Sequence, residues 1–396
     1  MVSVFVDFNK AFDSVDTNLL IWKLMFIFKL SPTIVKFLFN HLKERIFLIK
    51  SFNTSNLFNF SKGVPQGSAL GPLLFSLFIN DISLALNIPH LLYADDLVLY
   101  IDASNLKEAI RILQENLDSL QKWCEENDLT INVSKTKMMC FAKSSPSEED
   151  IKLLNLSLNG NNIELVQEFK YLGVLFDSRA NFDSQFKSVM NRTSAATKRI
   201  RGVKRFLTPK AFTTIFNAYV LPIIDYCSEV WLIQPNSKLD LLQNKCNRLF
   251  YEYFVSSKIK KLKQINHSSD SQVMLDLFLN HQKVTIIERR DQFILNRLFK
   301  CYFDQEKCAE IKNWFNFSFS NSLRGLPLLH STSLLSTSSL PCFKKSFLHR
   351  AGTLWNNFRR FTTSQHLNTE EISHKLAPQL VMDWFYKLRN DNYYYY

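Results

Sequence analysis

The chain has 396 residues, 46% of them hydrophobic, with 48 Lys and Arg against 36 Asp and Glu. That is enough apolar material for two or three cores, which excludes an acidic, solvating disordered chain. The charge is uneven, 17 basic against 20 acidic side chains in residues 1–180 and 31 against 16 in residues 181–396, so a polyanionic partner is expected downstream.

In chain order, Val2 to Phe8 reads as a buried strand carrying Asp7 at its end. Asp16 or Thr17 caps a helix with Leu20, Leu24, Ile27 and Phe28 inward, and Ser31-Pro32 ends it and opens a second helix through about Lys43. Lys23, Lys29 and Lys36 interrupt the apolar stretch Leu19 to Phe39, which a bilayer centre resists, so both are read as amphipathic core helices and no membrane partner is expected. The N-terminus meets Asp7 and Lys10 before a secretory apolar region could be completed. Asn53-Thr54-Ser55 separates two β-prone runs, Arg45 to Lys50 and Asn56 to Phe60, and predicts a hairpin. A helix follows Gly71-Pro72 with Leu73, Leu74, Leu77 and Phe78 on its core side.

Pro89 to Ala94 and Leu97 to Ile101 predict a second hairpin with Asp95 and Asp96 at its tip. Leu106, Ala109, Ile110, Leu113, Leu117, Leu120 and Cys124 recur with helical period, so a long helix over Leu106 to Glu126 should cover the back of the sheet. Lys143 to Asp150 reads as an exposed loop, and strands are expected around Leu156 to Leu158 and Phe169 to Phe176. From about Asp183 the pattern is mainly helical, with a basic linker at Lys258 to Lys263 and a low-complexity run at Ser331 to Ser339. The fold class is α+β, an antiparallel sheet backed by helices and followed by a helical region, divided as 1–180, 181–257 and 258–396. The seven cysteines form no Cys-x-x-Cys pair, and Cys342 and His349 lack partners at zinc-finger spacing, so reduced thiols and an intracellular location are expected.

Adjacent carboxylates at a hairpin tip and a third at the end of a neighbouring strand are costly without a cation. Hard oxygen ligands of this kind suit Mg²⁺, although any one of these Asp residues alone reads as an ordinary turn residue.

These segments also resemble, in order and separation, the motifs of reverse transcriptases, in wording closest to those of non-LTR, LINE-like retrotransposons. The resemblance rests on Asp7-Phe8-Asn9-Lys10-Ala11-Phe12-Asp13, Gly63-Val64-Pro65-Gln66-Gly67-Ser68, Tyr93-Ala94-Asp95-Asp96 and Phe169-Lys170-Tyr171-Leu172-Gly173-Val174. It covers roughly residues 1 to 177 and implies a polymerase palm, then a helical thumb, with the fingers largely missing from an N-terminally truncated chain.

The activity implied is RNA-directed DNA synthesis, a primer 3′-hydroxyl attacking a dNTP on an RNA template with two Mg²⁺ ions or Mn²⁺ in their place. By resemblance Asp7 and Asp95 are direct metal ligands, Asp96 supports them, and the Phe8 carbonyl is an extra ligand. Phe12 walls off a ribose 2′-hydroxyl, Gln66 and Gly67 touch nucleotide or template, and Lys135 protonates pyrophosphate. Leu172 and Gly173 form the primer grip. Lys198, Arg199, Arg201, Lys204 and Arg205, in a stretch without acidic residues between Ser184 and Ile224, would hold duplex phosphates in the nucleus or cytoplasm. Tyr219 to Trp231 and Leu354 to Asn357 resemble segments that follow the polymerase. The competing reading is a catalytically weak or inactive nucleic-acid-binding remnant.

Overall fold

The computed structural model describes residues 1–43, 45–51, 54–60, 62–102, 105–142, 146–231, 236–255, 267–282, 284–303, 315–318, 328–331, 347–364 and 377–390. The linker at 258–263, the run after Ser331 and the terminal tyrosines lie outside the described residues. The chain divides into two compact units, Met1–Ala180 and Asn181–Tyr396.

The first unit runs β1 (Val2–Val6), α1 (Ala11–Ser14), α2 (Thr17–Phe26), α3 (Pro32–Leu42), β2 (Arg45–Ser51), β3 (Thr54–Phe60), α4 (Gly71–Ile79), β4 (His90–Tyr93), β5 (Asp96–Ile101), α5 (Leu106–Glu126), β6 (Lys137–Cys140), α6 (Glu148–Leu153), β7 (Ser157–Leu158), β8 (Asn161–Asn162), β9 (Glu164–Leu165), β10 (Glu168–Tyr171) and β11 (Val174–Asp177). Five strands form one sheet in the order β4-β5-β1-β6-β9, antiparallel except for the β6–β9 pair. β1 lies at its centre and is buried on both faces, which is why it reads as an unbroken apolar run.

Alternation splits the central strands between two layers. Val2, Val4, Val6, Leu97, Leu99 and Met138 face a core built with α2 to α5, whereas Phe5, Val98 and Met139 face the opposite side. There the β10–β11 hairpin covers them, with Phe169 stacked on Phe5 at 4.4 Å and Tyr171 at 5.5 Å.

Helix starts follow the sequence: Asp16 accepts from the Leu19 N–H at 2.9 Å, Ser31 caps α3 and Asn105 caps α5. Some expectations are corrected. Part of the loop expected over Lys143 to Asp150 is the start of α6, because Ser147 and Asp150 form a reciprocal capping box. Leu73 is exposed and Phe75 takes its place in the core, while Ile27 also faces solvent. Lys23 is fully buried, its ammonium donating to Asp81 at 2.7 Å and to the Phe78 carbonyl at 2.8 Å, close to the rings of Phe78 and Trp123. Burial lowers the Lys23 pKa, and Asp81 opposes that shift.

The second unit is mainly helical: α7 (Asp183–Val203), α8 (Pro209–Tyr219), α9 (Leu221–Asp225), α10 (Ser228–Trp231), α11 (Asn236–Phe254), α12 (His267–Gln282), α13 (Ile286–Phe303), a β12 (Phe315–Ser318) and β13 (Leu328–Ser331) pair, α14 (Phe347–Ser364) and α15 (Ala377–Asn390). Phe216, Phe250 and Phe278 pack edge to face, joining α8, α11 and α12. A further core gathers Leu298, Phe299, Trp355, Phe358, Trp384 and Phe385, so Trp355 of the Leu354 to Asn357 block is a packing residue, as is Trp231. Among the described residues no helix is long and apolar enough to cross a membrane.

Candidate active site

The ladder between β1 and β5 sets the site. Its last pair is Val6 opposite Leu97, so Asp7 and Asp96 stand one step beyond it, on the face that carries Phe5 and Val98. Both line a cleft of about 360 Å³ with Lys135, Lys137, Lys170 and Tyr171. Asp95 has the other parity. It occupies the two-residue turn between the paired Tyr93 and Asp96, where Ala94 takes a left-handed φ of 52°, and it does not line the cleft.

The three carboxylates therefore form no ready-made ligand cage, and among the described residues no group of three His, Cys, Asp or Glu is placed to hold a metal ion. Asp7 and Asp96 share the cleft, and Asp95, in the adjoining turn, acts on Asp96 through its charge. Burial, then the charges of Asp95 and Asp7, push the Asp96 carboxyl above its ordinary value. Asp7 Oδ2 is buried without a hydrogen-bond partner, and the Lys135 ammonium stands 3.7 Å away. An orphaned carboxylate oxygen facing a second, destabilised carboxylate fits a divalent cation, since Mg²⁺ is commonly held by one or two protein carboxylates together with substrate oxygens.

The loop around Lys135, singled out in the sequence for that lysine, also fixes Asp7. Its N–H donates to Thr136 Oγ1 at 3.3 Å, the Thr136 hydroxyl donates to the Asn132 carbonyl at 2.9 Å, and the Asn132 N–H donates to the Asp7 carbonyl at 2.7 Å. The same loop carries Lys135 to the cleft. Phe8 bridges Ile131, but that bridge uses the Asp7 carbonyl and not the Phe8 carbonyl.

The glycine loop is bound to the segment after Asp7. Gly63 N–H donates to Val15 at 2.7 Å and Val64 N–H to Phe12 at 2.9 Å. Gly63 has φ 85°, and a Cβ there would lie 2.8 Å from the Asp13 backbone, so only glycine fits. Arg45, at the base of the β2–β3 hairpin, donates to the carbonyls of Lys62 and Gly63. Burial lowers its pKa, and the charge of Asp13 opposes that shift.

Asp13 also accepts from Gln66 Nε2 at 2.8 Å. A carboxylate can only accept here, so the Gln66 amide is oriented with its oxygen free to accept from a ligand. Gly67 has a left-handed φ of 77° and open space around it, and Phe12 is half-buried with one face stacked on Phe75 at 4.2 Å. Asp13 lies within the first motif, Thr136 beside Lys135, and Arg45 only opens a β-prone run; none carries a signal of its own in the sequence.

Leu172 (φ 44°) and Gly173 (φ 81°) form the two-residue turn of the β10–β11 hairpin, and Tyr171 beside them faces Asp96, whose charge adds to burial in raising the tyrosine's pKa. In the second unit the basic run is partly neutralised from elsewhere in the chain. Arg201 pairs with Glu252 at 2.6 Å, Lys204 donates to the Glu252 carbonyl and Arg199 to the Tyr219 hydroxyl, while Lys198 and Arg205 are exposed. Arg201, Lys245, Arg248 and Glu252 line a cleft of about 580 Å³ between α7 and α11.

This arrangement of strand-borne carboxylates, glycine loop and covering hairpin defines a class, and comparison with known proteins gives the same class. Residues 2–176 match the family described as reverse transcriptase (RNA-dependent DNA polymerase). The match spans nearly the whole first unit, and the relatives it resembles are named as enzymes of non-LTR retrotransposons. The probable RNA-directed DNA polymerase from transposon BS of Drosophila melanogaster is 31% identical over 262 residues, 62% of this chain and 28% of that protein. The RNA-directed DNA polymerase from mobile element jockey of the same species is 28% identical over 265 residues, with the same coverage of 62% and 28%. A Pol polyprotein from the type-1 retrotransposable element R1 of Nasonia vitripennis is 25% identical over 178 residues, 43% of each chain. The chain thus spans little more than a quarter of the first two relatives. A solved telomerase from Candida tropicalis aligns with a TM-score of 0.33 and 11% identity over 70% of this chain and 49% of that one.

Proposed function

We propose that this chain carries RNA-directed DNA polymerase activity for a non-LTR retrotransposon, transferring a nucleotide from a dNTP to a DNA primer 3′-hydroxyl on an RNA template. The observation that carries this reading is the facing pair Asp7 and Asp96 at the mouth of a cleft that also holds Lys135. Asp7, Asp95 and Asp96 together would hold Mg²⁺ or Mn²⁺. When bound, two such ions lower the pKa of the attacking hydroxyl and stabilise the leaving pyrophosphate. Lys135, exposed at the cleft, would give a proton to that leaving group. Gln66, fixed by Asp13, would accept a hydrogen bond from the nucleotide or template base, and Phe12 would exclude a 2′-hydroxyl. The Leu172-Gly173 turn would hold the primer end, and exposed Lys198 and Arg205 the duplex phosphates. Free thiols at Cys124 and Cys246, both buried, suit a reducing setting in nucleus or cytoplasm.

Primer extension on poly(A) with oligo(dT) tests the reading. Extension should require Mg²⁺ or Mn²⁺ and fall at least about a hundredfold in Asp95→Asn and Asp7→Asn. The missing three-carboxylate cage favours a second reading, a nucleic-acid-binding remnant. Template–primer binding without extension above the Asp95→Asn level selects that second reading.

A further inference from the structure

Helix α2 is built inside out. Its residues, Thr17 to Phe26, are apolar on every side except for one charge, and a helix of that kind is ordinarily buried on every side. Here the charge, Lys23, is 2% exposed, whereas Trp22 is 51% and Phe26 60% exposed, with Met25 beside them in solvent. The Trp22 and Phe26 rings lie 5.6 Å apart, at the spacing that forms one stripe on a helix. Helix α3 packs on α2 and adds exposed Ile34 and Phe37, the latter 62% exposed. The Lys23 bonds to Asp81 and the Phe78 carbonyl fix the rotation of α2, so the aromatic stripe cannot roll inward.

Large exposed apolar side chains gathered on two helices packed together mark an interaction site. The charges around this one choose the partner. No Asp or Glu occurs from Thr17 to Lys43, and Lys29, Lys36, His41 and Lys43 are all exposed. A second copy would bring these cations against one another. A nucleic-acid strand needs cations among the stacking rings, whereas Lys29 and Lys36 lie beyond the Trp22–Phe26 stripe, and Met25 and Ile34 offer no ring to stack on. We propose that the α2–α3 face docks an acidic amphipathic helix of a partner protein, with apolar side chains on Trp22, Phe26 and Phe37 and carboxylates facing Lys29 and Lys36. Helix-in-groove recognition uses this division of labour, apolar anchors at helical spacing and a charged rim that sets specificity.

The test uses the full chain and a fluorescein-labelled helical peptide with Leu at i, i+3, i+4 and i+7 and Glu elsewhere, read by fluorescence anisotropy. The Glu peptide should bind and its Lys counterpart should not. Trp22→Ser with Phe26→Ser should weaken binding at least about tenfold, because central aromatic anchors dominate such interfaces, while the melting temperature and primer extension stay at the wild-type level. Lys29→Glu with Lys36→Glu should reverse the preference toward the Lys peptide. The proposal is overturned if the Glu peptide fails to bind, or binds the Ser variants as well as wild type. It is equally overturned if light scattering shows a dimer that those variants dissolve, or if phosphatidylserine vesicles or oligo(dT) displace the peptide from this face.

Discussion

The Lys23–Asp81 pair makes a quantitative test of what orients α2. The Lys23 side chain is 3% exposed and Asp81 19%, with the ammonium 2.7 Å from the carboxylate. Removing one member of a buried pair leaves an uncompensated charge, a loss of about 3–5 kcal/mol. Asp81→Ala should reach that range because Lys23 has no route to water. Lys23→Met should cost less, about 2–3 kcal/mol, because the stranded carboxylate keeps partial contact with solvent. For a unit of this size each kcal/mol moves the melting temperature by about 2–4 °C, so Asp81→Ala should melt about 6–20 °C below wild type by calorimetry. Lys23→Met combined with Asp81→Leu should recover most of that loss, since an apolar pair of similar volume removes both desolvation costs. The pH dependence has a defined sign. The folded-state pKa of Lys23 is lowered beneath 10.5, so on alkaline titration the native state gives up its proton first and the unfolded state holds more. This group then contributes stability that rises with pH between its folded value and 10.5, and Lys23→Met should flatten that rise. An Asp81→Ala shift smaller than about 2 °C, or a double variant as unstable as the sum of the singles, would refute the account.

Other expectations follow from the site. Asp13→Asn frees the Gln66 amide to rotate, and a hydrogen bond of about 1 kcal/mol predicts a KM for dTTP about fivefold higher. Gln66→Ala should do the same, and the double variant should add little further; additive effects would separate the two residues. Gly63→Ala meets both an unfavourable φ and the Asp13 backbone at 2.8 Å, whereas Gly67→Ala meets only the φ. Urea unfolding should therefore show a loss of about 1 kcal/mol for Gly67→Ala and clearly more for Gly63→Ala. Asp96→Asn should raise the melting temperature in EDTA at neutral pH. The wild-type carboxyl is raised above 3.8, so the native state binds its proton more tightly, and the penalty of ionisation disappears as pH falls through that raised value. The gain from Asn should vanish on acidification, and a gain that persists in acid would remove the ionisation of Asp96, penalised by burial and by Asp95 and Asp7, as its cause.

Periodicity made much of the first unit legible. The Leu106–Glu126 helix, the β2–β3 hairpin and the Asp95-Asp96 hairpin follow from apolar spacing and turn residues that act within a few positions. What escaped depends on partners distant in sequence. Lys23 reads as a surface charge because nothing nearby announces Asp81, which lies 58 positions on. Arg201 reads as a phosphate ligand because its acid, Glu252, is 51 positions away on another helix. The α6 capping box was local and readable, but a Ser- and Glu-rich segment with one proline suggested a loop. At the site, motif order pointed to Asp7, Asp95 and Asp96, whereas only the ladder register places Asp7 and Asp96 on one face and Asp95 in the turn.

That register has an evolutionary consequence. Val98 packs on one side of β5 and Leu97 and Leu99 on the other, so a slip of a single position would drive a carboxylate into the oily layer around Val4. Mispaired molecules would therefore fail to fold rather than fold into sluggish catalysts. Selection on folding alone therefore keeps Asp7 opposite Asp96, and drift in this strand is filtered before any ligand is met.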